Sequence, residues 1–245
     1  MRSAALAACC VLAAGIASAQ TAMPEFEAGG PVALGAVIDG TTLSLADGRV
    51  MRLASIDVPL APAAARAAVE RLVAGKGLEL RYAGARTDRR DRIVAELFAD
   101  GHWVQDELIQ QGLARVRGGA DNRAGLETLL ADEDRARTDR LGLWRRPQFA
   151  VRDAAEAARD AGTWQIVAGT VAAALRLEGG VALVFGADRA HAFRVNIGHD
   201  SLKLCRAAGL DPLTLEGARL RVRGFIDGTN RPTLEVTFPE QIERL

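Results

Sequence analysis

The sequence predicts an α+β protein, mainly β with helices, built as two β-rich units in tandem. Short strand-type runs bounded by Gly, Pro and Asp recur along the chain, and Ala- and Leu-rich helical runs fall between Ala63 and Arg140. From Arg145 to Ala161 the composition turns polar and Ala-rich, which places a boundary there. The 245 residues are 49% hydrophobic, enough for real cores and unlike a disordered chain. Lys+Arg and Asp+Glu are equal at 31 each. No global field therefore draws the chain onto nucleic acid, and polyanion binding has to come from a local Arg cluster.

The first nineteen residues, MRSAALAACCVLAAGIASA, have a basic start at Arg2, an apolar run and a small-residue site at Ala17-Ser18-Ala19. This is the pattern of a signal peptide cleaved after Ala19, and it predicts export to a periplasmic or extracellular location. Leu6-Ala7-Ala8-Cys9 has too few residues before it to act as a lipidation box. No later run reaches membrane-spanning length. Cys9 and Cys10 leave with the signal, so Cys205 stays without an internal disulfide partner and is expected to be a buried structural thiol.

Residues 20 to 30 read as a polar, mobile lead-in. Strand runs follow at Val32 to Ile38, Thr42 to Leu45 and Arg49 to Ile56, the latter two joined by an Ala46-Asp47-Gly48 turn. A register change in the last run suggests the curvature of a small barrel. Ala63 to Val73 is a helix with Ala65, Ala68, Val69 and Leu72 inward, ended by Gly75 and Gly77. Strands at Leu78 to Tyr82 and Ile93 to Phe98 flank a charged loop, Asp88-Arg89-Arg90-Asp91-Arg92. Helices are expected at Trp103 to Gln110 and from about Arg123 to Arg140, with Trp144 sealing the bottom of the barrel.

The segment from 148 to 163 reads as a linker or short helix. Beyond it, strand runs occur at Ile166 to Leu175, Val181 to Phe185, Ala190 to Ile197, Ala218 to Ile226 and Thr233 to Phe238. A short helix, Ser201 to Ala208, lies between the third and fourth. That is the element order of an OB barrel, smaller than the first unit. His102, His191 and His199 lack metal-ligand spacing and read as turn or surface residues.

Five pieces in order, VIDGTTLSL, RLASIDVPL, DRRDR with IVAELFADGHWV, ELIQQGLARV and EDRARTDRLGLW, resemble the staphylococcal-nuclease-like (thermonuclease) family. The resemblance covers roughly Pro31 to Trp144, within a domain expected at 31–147. It implies a five-stranded OB barrel with three helices, and its active members are calcium-dependent phosphodiesterases that cut DNA and RNA. Such chemistry needs oxygen ligands for the cation, two arginines on the phosphate and a carboxylate general base.

Carried over by position, the arginines fall on Arg52 and Arg92 and one metal-ligand aspartate on Asp57. A second metal aspartate falls on Thr41, which leaves Asp39 and Thr41 as the other oxygen donors of a weak calcium site. The general base falls on Leu60, which cannot accept a proton, a loss worth ~10²–10⁴-fold in rate. The family's Tyr-Gly is Arg90-Asp91 here, and Arg89 and Arg90 are further candidates for binding phosphate. The expected function is binding of nucleic acid or a phosphate ligand by an exported protein with a degenerate catalytic site. Two other readings stay open: an active divalent-cation-dependent nuclease, and a non-catalytic envelope interaction module.

Residues 164–245 resemble a C-terminal extension of some bacterial members, ending in a Pro-Glu-Gln-Ile-Glu run at Pro239 to Glu243. Its binding candidates are Phe185, Phe193, Phe225 and Arg221 or Arg223; phenylalanine in so aromatic-poor a chain is more often core, so a structural or protein-contact role ranks above a binding face.

Overall fold

The computed structural model describes residues 23–228 and 231–245. The expected signal peptide at residues 1–19, with Cys9 and Cys10, lies outside the described residues. The fold is mixed α+β and mostly strands.

The first sheet begins with β1 (Glu27–Val32) and β2 (Leu34–Val37), then β3 (Thr42–Leu45) and β4 (Val50–Leu53). A short β5 (Ile56–Asp57) precedes helix α1 (Pro62–Val73), and β6 (Leu78–Tyr82) and β7 (Ile93–Ala99) follow. Next come β8 (His102–Trp103), α2 (Val104–Gln110), β9 (Arg115–Val116) and α3 (Leu126–Thr138). The hydrogen-bonded order is β1-β6-β7-β4-β3-β2, with β8 beside β7 and β5 paired to β9. Only Ala33 separates β1 from β2, so the path of pairing begins and ends on one stretch of chain. Pairing is antiparallel except between β4 and β7. Leu43, Met51, Leu53, Leu80 and Leu97 are fully enclosed by this ring and the helices. Each such burial stabilises by ~1.5–3 kcal/mol.

Two glycines are required by close approach. A Cβ on Gly40 would lie 2.7 Å from Ala65 Cβ, so the β2–β3 turn can rest on α1 only without a side chain there. Gly112 has φ +64°, and its carbonyl accepts from Leu143 N (2.9 Å), which ties the end of α2 to the segment after α3.

Several boundaries differ from expectation for physical reasons. From Phe26 onward the lead-in is held: Phe26 packs edge-on to Phe98 and Trp103 with centroids 5.9 and 5.1 Å apart, and β1 pairs with β6 from Glu27 onward. The single run Arg49 to Ile56 is broken at Ser55, whose φ of 62° turns the chain between β4 and β5. Trp144, expected to seal the bottom of a barrel, lies outside the first core. It is buried with Ala136, Leu143 and Ile166 in a separate apolar cluster where the two sheets meet.

The segment after α3 is ordered. It forms 3-10 turns at Gly142–Arg145 and Pro147–Phe149, a two-residue β10 (Arg152–Asp153) and a 3-10 helix Ala154–Asp160 capped by Asp153. The second sheet comprises β11 (Trp164–Thr170), β12 (Ala173–Leu177), β13 (Gly180–Phe185) and β14 (Phe193–Gly198). After helix α4 (His199–Ala207) it continues with β15 (Arg219–Asp227), β16 (Thr233–Val236) and β17 (Ile242–Arg244). Its order is β10-β11-β15-β16-β14-β13-β12, with β17 beside β15 and a parallel pair at β14–β16. Val171 and Ala172 alone separate β11 from β12, so this path closes in the same way. Both sheets therefore have a bent first strand, a helix between the third and fourth ring strands, and a parallel third–fifth pair. The sequence carries no repeat that announces this likeness. Cys205 is buried in the second core, and burial pushes its thiol up to about 11.

Candidate nucleic-acid interface

Sheet registers bring the sequence-selected residues together. Arg52 on β4 lies opposite Thr42 on β3 and Val94 on β7, and Arg92 immediately precedes β7. Asp57 on β5 lies opposite Arg115 on β9. Arg52, Arg92 and Asp57 thus converge, joined by two arginines that the motif comparison missed, Arg115 and Arg117.

Arg115 donates from Nη2 (2.8 Å) and Nε (3.1 Å) to the same Oδ2 of Asp57, and Arg117 Nη1 stands 3.7 Å from that oxygen. Arg92 is bound by Asp88 at 2.7 Å in a loop closed by Asp88 accepting from the backbone of Arg90 and Arg92. Asp91 in that loop has φ 57°, a conformation that Asp tolerates better than most side chains. Arg52 is partly buried and, among the described residues, has no ion-pair partner. Burial is the largest influence holding its pKa below the ordinary value. The positive charges of Arg92 and Arg117 add to it, and Asp57 and Asp88 offset part. Four guanidiniums thus face two carboxylates, both already paired. The sequence signal for the missed pair was the alternation Arg115-Val116-Arg117, which puts two cations on one face of a strand.

The oxygen donors expected of a calcium site do not fit one. Asp39 Oδ1 accepts from the amide (2.7 Å) and hydroxyl (3.0 Å) of Thr41. Burial works to raise the Asp39 carboxyl, but the hydrogen bonds from Thr41 and Thr42 outweigh it and hold the pKa below the usual range. Asp57 meets arginines where a metal ligand was expected, and Leu60 offers no oxygen. Calcium takes about six to eight oxygens, and among the described residues no group of three or more His, Cys, Asp or Glu could hold a metal ion. Leu60 instead packs, partly buried, against the cluster of Ala136, Leu143, Trp144 and Ile166. The position expected to hold a base belongs to the joint between the sheets.

Arg89 and Arg90 are exposed at the loop tip. The candidates in the second unit divide. Phe185 and Phe193 are core residues, 4% and 1% exposed, so neither can face a ligand. Arg221 and Arg223 are taken by carboxylates, Asp134 and Glu243 for the first, Glu133 and Glu243 for the second. Phe225 alone is open, at 55%. Trp164, which was not singled out, stacks on Arg115 with the guanidinium carbon 4.0 Å from the ring centre.

Residues 51–146 match the model of the staphylococcal nuclease homologue family. That span includes Arg52, Asp57, Leu60, Arg92, Arg115 and Arg117. It leaves out Asp39 and Thr41. Two curated relatives from Bacillus subtilis (strain 168) match over 62 residues: endonuclease YncB at 36% identity and the SPbeta prophage-derived endonuclease YokF at 34%. Each match covers 25% of this chain, and 29% and 21% of the respective relative. Among the described residues no helix is long and apolar enough to cross a membrane.

Proposed function

The chain carries a staphylococcal-nuclease-like domain over residues 51–146, and from that premise we propose that it binds nucleic acid or another phosphate ligand with hydrolysis impaired. The observation that carries this reading is Arg52, a partly buried guanidinium with like charges beside it and no carboxylate partner among the described residues. An anion placed between Arg52, Arg92 and Arg117 would relieve that repulsion, and the planar guanidinium fork suits phosphate oxygens. Leu60 has no group to orient or deprotonate a water, and Asp57 is held by arginines. Binding therefore outlasts cleavage.

Both closed rings are read as OB-type barrels, with domains at 31–147 and 164–245, and the protein as exported after cleavage behind Ala19. The export reading is tested by N-terminal sequencing of protein recovered outside the cytoplasm, where Gln20 is the expected first residue. A protein partner of the C-terminal domain stays secondary to the phosphate site.

The binding test is fluorescence anisotropy with labelled single-stranded DNA at low salt. Arg52→Ala/Arg92→Ala should weaken binding by about tenfold or more, since each charge-assisted hydrogen bond is worth ~1.5–3 kcal/mol. Wild-type affinity should also fall steeply with salt. In parallel, the same DNA is incubated with calcium, magnesium or manganese. Cleavage that disappears in the double variant would overturn the impaired reading in favour of an active endonuclease, the activity named for YncB and YokF.

A further inference from the structure

Trp164 and Phe225 are directly opposed across the antiparallel pair β11–β15, which puts both side chains on one face of the second sheet. Two residues along, the same face carries Ile166 and Arg223, both buried against the first unit. The aromatic pair therefore stands where the docked face emerges into solvent, next to the arginine cluster. A cleft of about 160 Å³ opens there, lined by Arg117 and Gly118 on one side and Trp164, Gly224 and Phe225 on the other.

Among the described residues Phe225 is the only aromatic among the exposed large apolar side chains. It also lines the neighbouring cleft with Arg231 and Thr233. Trp164 is held flat by Arg115, which is itself fixed by Asp57. Arg117 is 53% exposed and shares the cleft with both rings. An aromatic surface beside an exposed guanidinium, held only at 3.7 Å by Asp57, matches a nucleotide, whose base has a flat face and whose phosphate carries charge. A base inside a duplex has both faces covered, so only an unpaired base could reach Phe225.

Resting on the phosphate reading of Arg52, Arg92 and Arg117, we infer that the cleft between the two units is a base-stacking subsite. In it Phe225 and Trp164 take a base of single-stranded nucleic acid whose backbone lies on those arginines. The second unit thereby completes the binding surface of the first. Charge complementarity selects this occupant over an apolar peptide, because one wall of the cleft is Arg117 and the adjoining site is cationic.

The experiment measures binding of two labelled probes, a short oligothymidylate and an abasic oligomer of equal length, to wild type, Phe225→Ala, Phe225→Tyr and Arg52→Ala. Phe225 is exposed, so its replacement should leave the melting temperature unchanged. Phe225→Ala should weaken oligothymidylate binding by about 5- to 150-fold, the range expected for loss of one stacked base, and leave the abasic oligomer unaffected. Phe225→Tyr should restore the loss, and Arg52→Ala should weaken both probes. If Phe225→Ala binds oligothymidylate as wild type does while Arg52→Ala weakens both probes, the subsite is refuted and the phosphate site stands. Failure of wild type to bind either probe would refute both.

Discussion

Glu96 projects from β7 into the first core, where Ser55 Oγ and Trp103 Nε1 each donate to one of its oxygens at 2.8 Å. Burial pushes its carboxyl up to about 7, against the lowering effect of those two donors. The folded pKa thus exceeds the unfolded value, so between the two the native state binds the extra proton. Stability from this group is full below the unfolded pKa and is lost as pH rises toward 7. The loss amounts to roughly 3 kcal/mol. Glu96→Gln can keep both contacts, its carbonyl accepting from Trp103 and its amide donating to Ser55. Urea unfolding should therefore find the variant near wild type at about pH 5 and more stable by up to ~3 kcal/mol at about pH 8. A wild type whose stability is flat over that interval would refute the shifted pKa. Nothing in the alternation of Ile93 to Ala99 signals this group, because a Glu in a strand ordinarily faces water. Its enclosure depends on Trp103 and Ser55, each supplied by another element. Arg52 was legible for the opposite reason: its place in a short ordered motif carried the information.

At the scale of elements, the hairpin β3–β4 was readable from its alternation and its Asp47-Gly48 turn, and α1, α2 and α3 from apolar spacing. The break at Ala33 was not, and the one at Ser55 showed only as a register change within the run Arg49 to Ile56. Both fall where a strand must bend to join two partners, and neither position carries a glycine to mark the change. The short β5–β9 pair was also invisible, although it sets Asp57 against Arg115 and gives the site its present charge. The segment from β5 into α1 holds a further consequence, since Leu60 packs against the apolar cluster that contains Trp144 and Ile166. Leu60→Glu would place a carboxylate against those apolar groups and should destabilise by ~1–3 kcal/mol. Leu60→Met should stay within ~1.5 kcal/mol of wild type. Denaturant midpoints of the two variants check this, and equal midpoints would mean that residue 60 faces solvent. Restoring a base through Thr41→Asp with Leu60→Glu therefore works against the joint, and any calcium-dependent cleavage it creates should come with a lowered melting temperature.

At the scale of the whole molecule, the two units are locked by ion pairs between α3 and the second sheet that the sequence did not announce. Glu133 on α3 is fully buried. Its Oε1 accepts from Val116 N (2.8 Å), and its Oε2 accepts from Arg223 Nη1 (2.7 Å). Burial by itself would lower the Arg223 pKa, but Glu133 and Glu243 outweigh it and hold it above the ordinary value. Arg221 reaches Asp134 at 2.8 Å, Arg123 clasps Glu240 at 2.7 Å, and Phe238 of the second unit packs into the first core. Through Val116 the Glu133 carboxylate also fixes β9, the strand that bears Arg115 and continues into Arg117. Glu133→Ala leaves a buried guanidinium short of one partner and the Val116 amide with no acceptor. The expected cost is about 3–5 kcal/mol. Because the same carboxylate holds both sides of the cleft, the variant should also lose affinity for single-stranded DNA, and Arg117→Ala should do the same. Arg123→Ala breaks a part-exposed pair on another edge of the joint. It should cost ~1 kcal/mol or less and leave DNA affinity unchanged. Urea unfolding followed by tryptophan emission, with anisotropy on the same samples, separates these outcomes. The Glu133 variant should unfold in two steps as the units come apart, where wild type unfolds in one. A Glu133→Ala protein that unfolds in one step and binds DNA like wild type would mean that the joint positions nothing in the site.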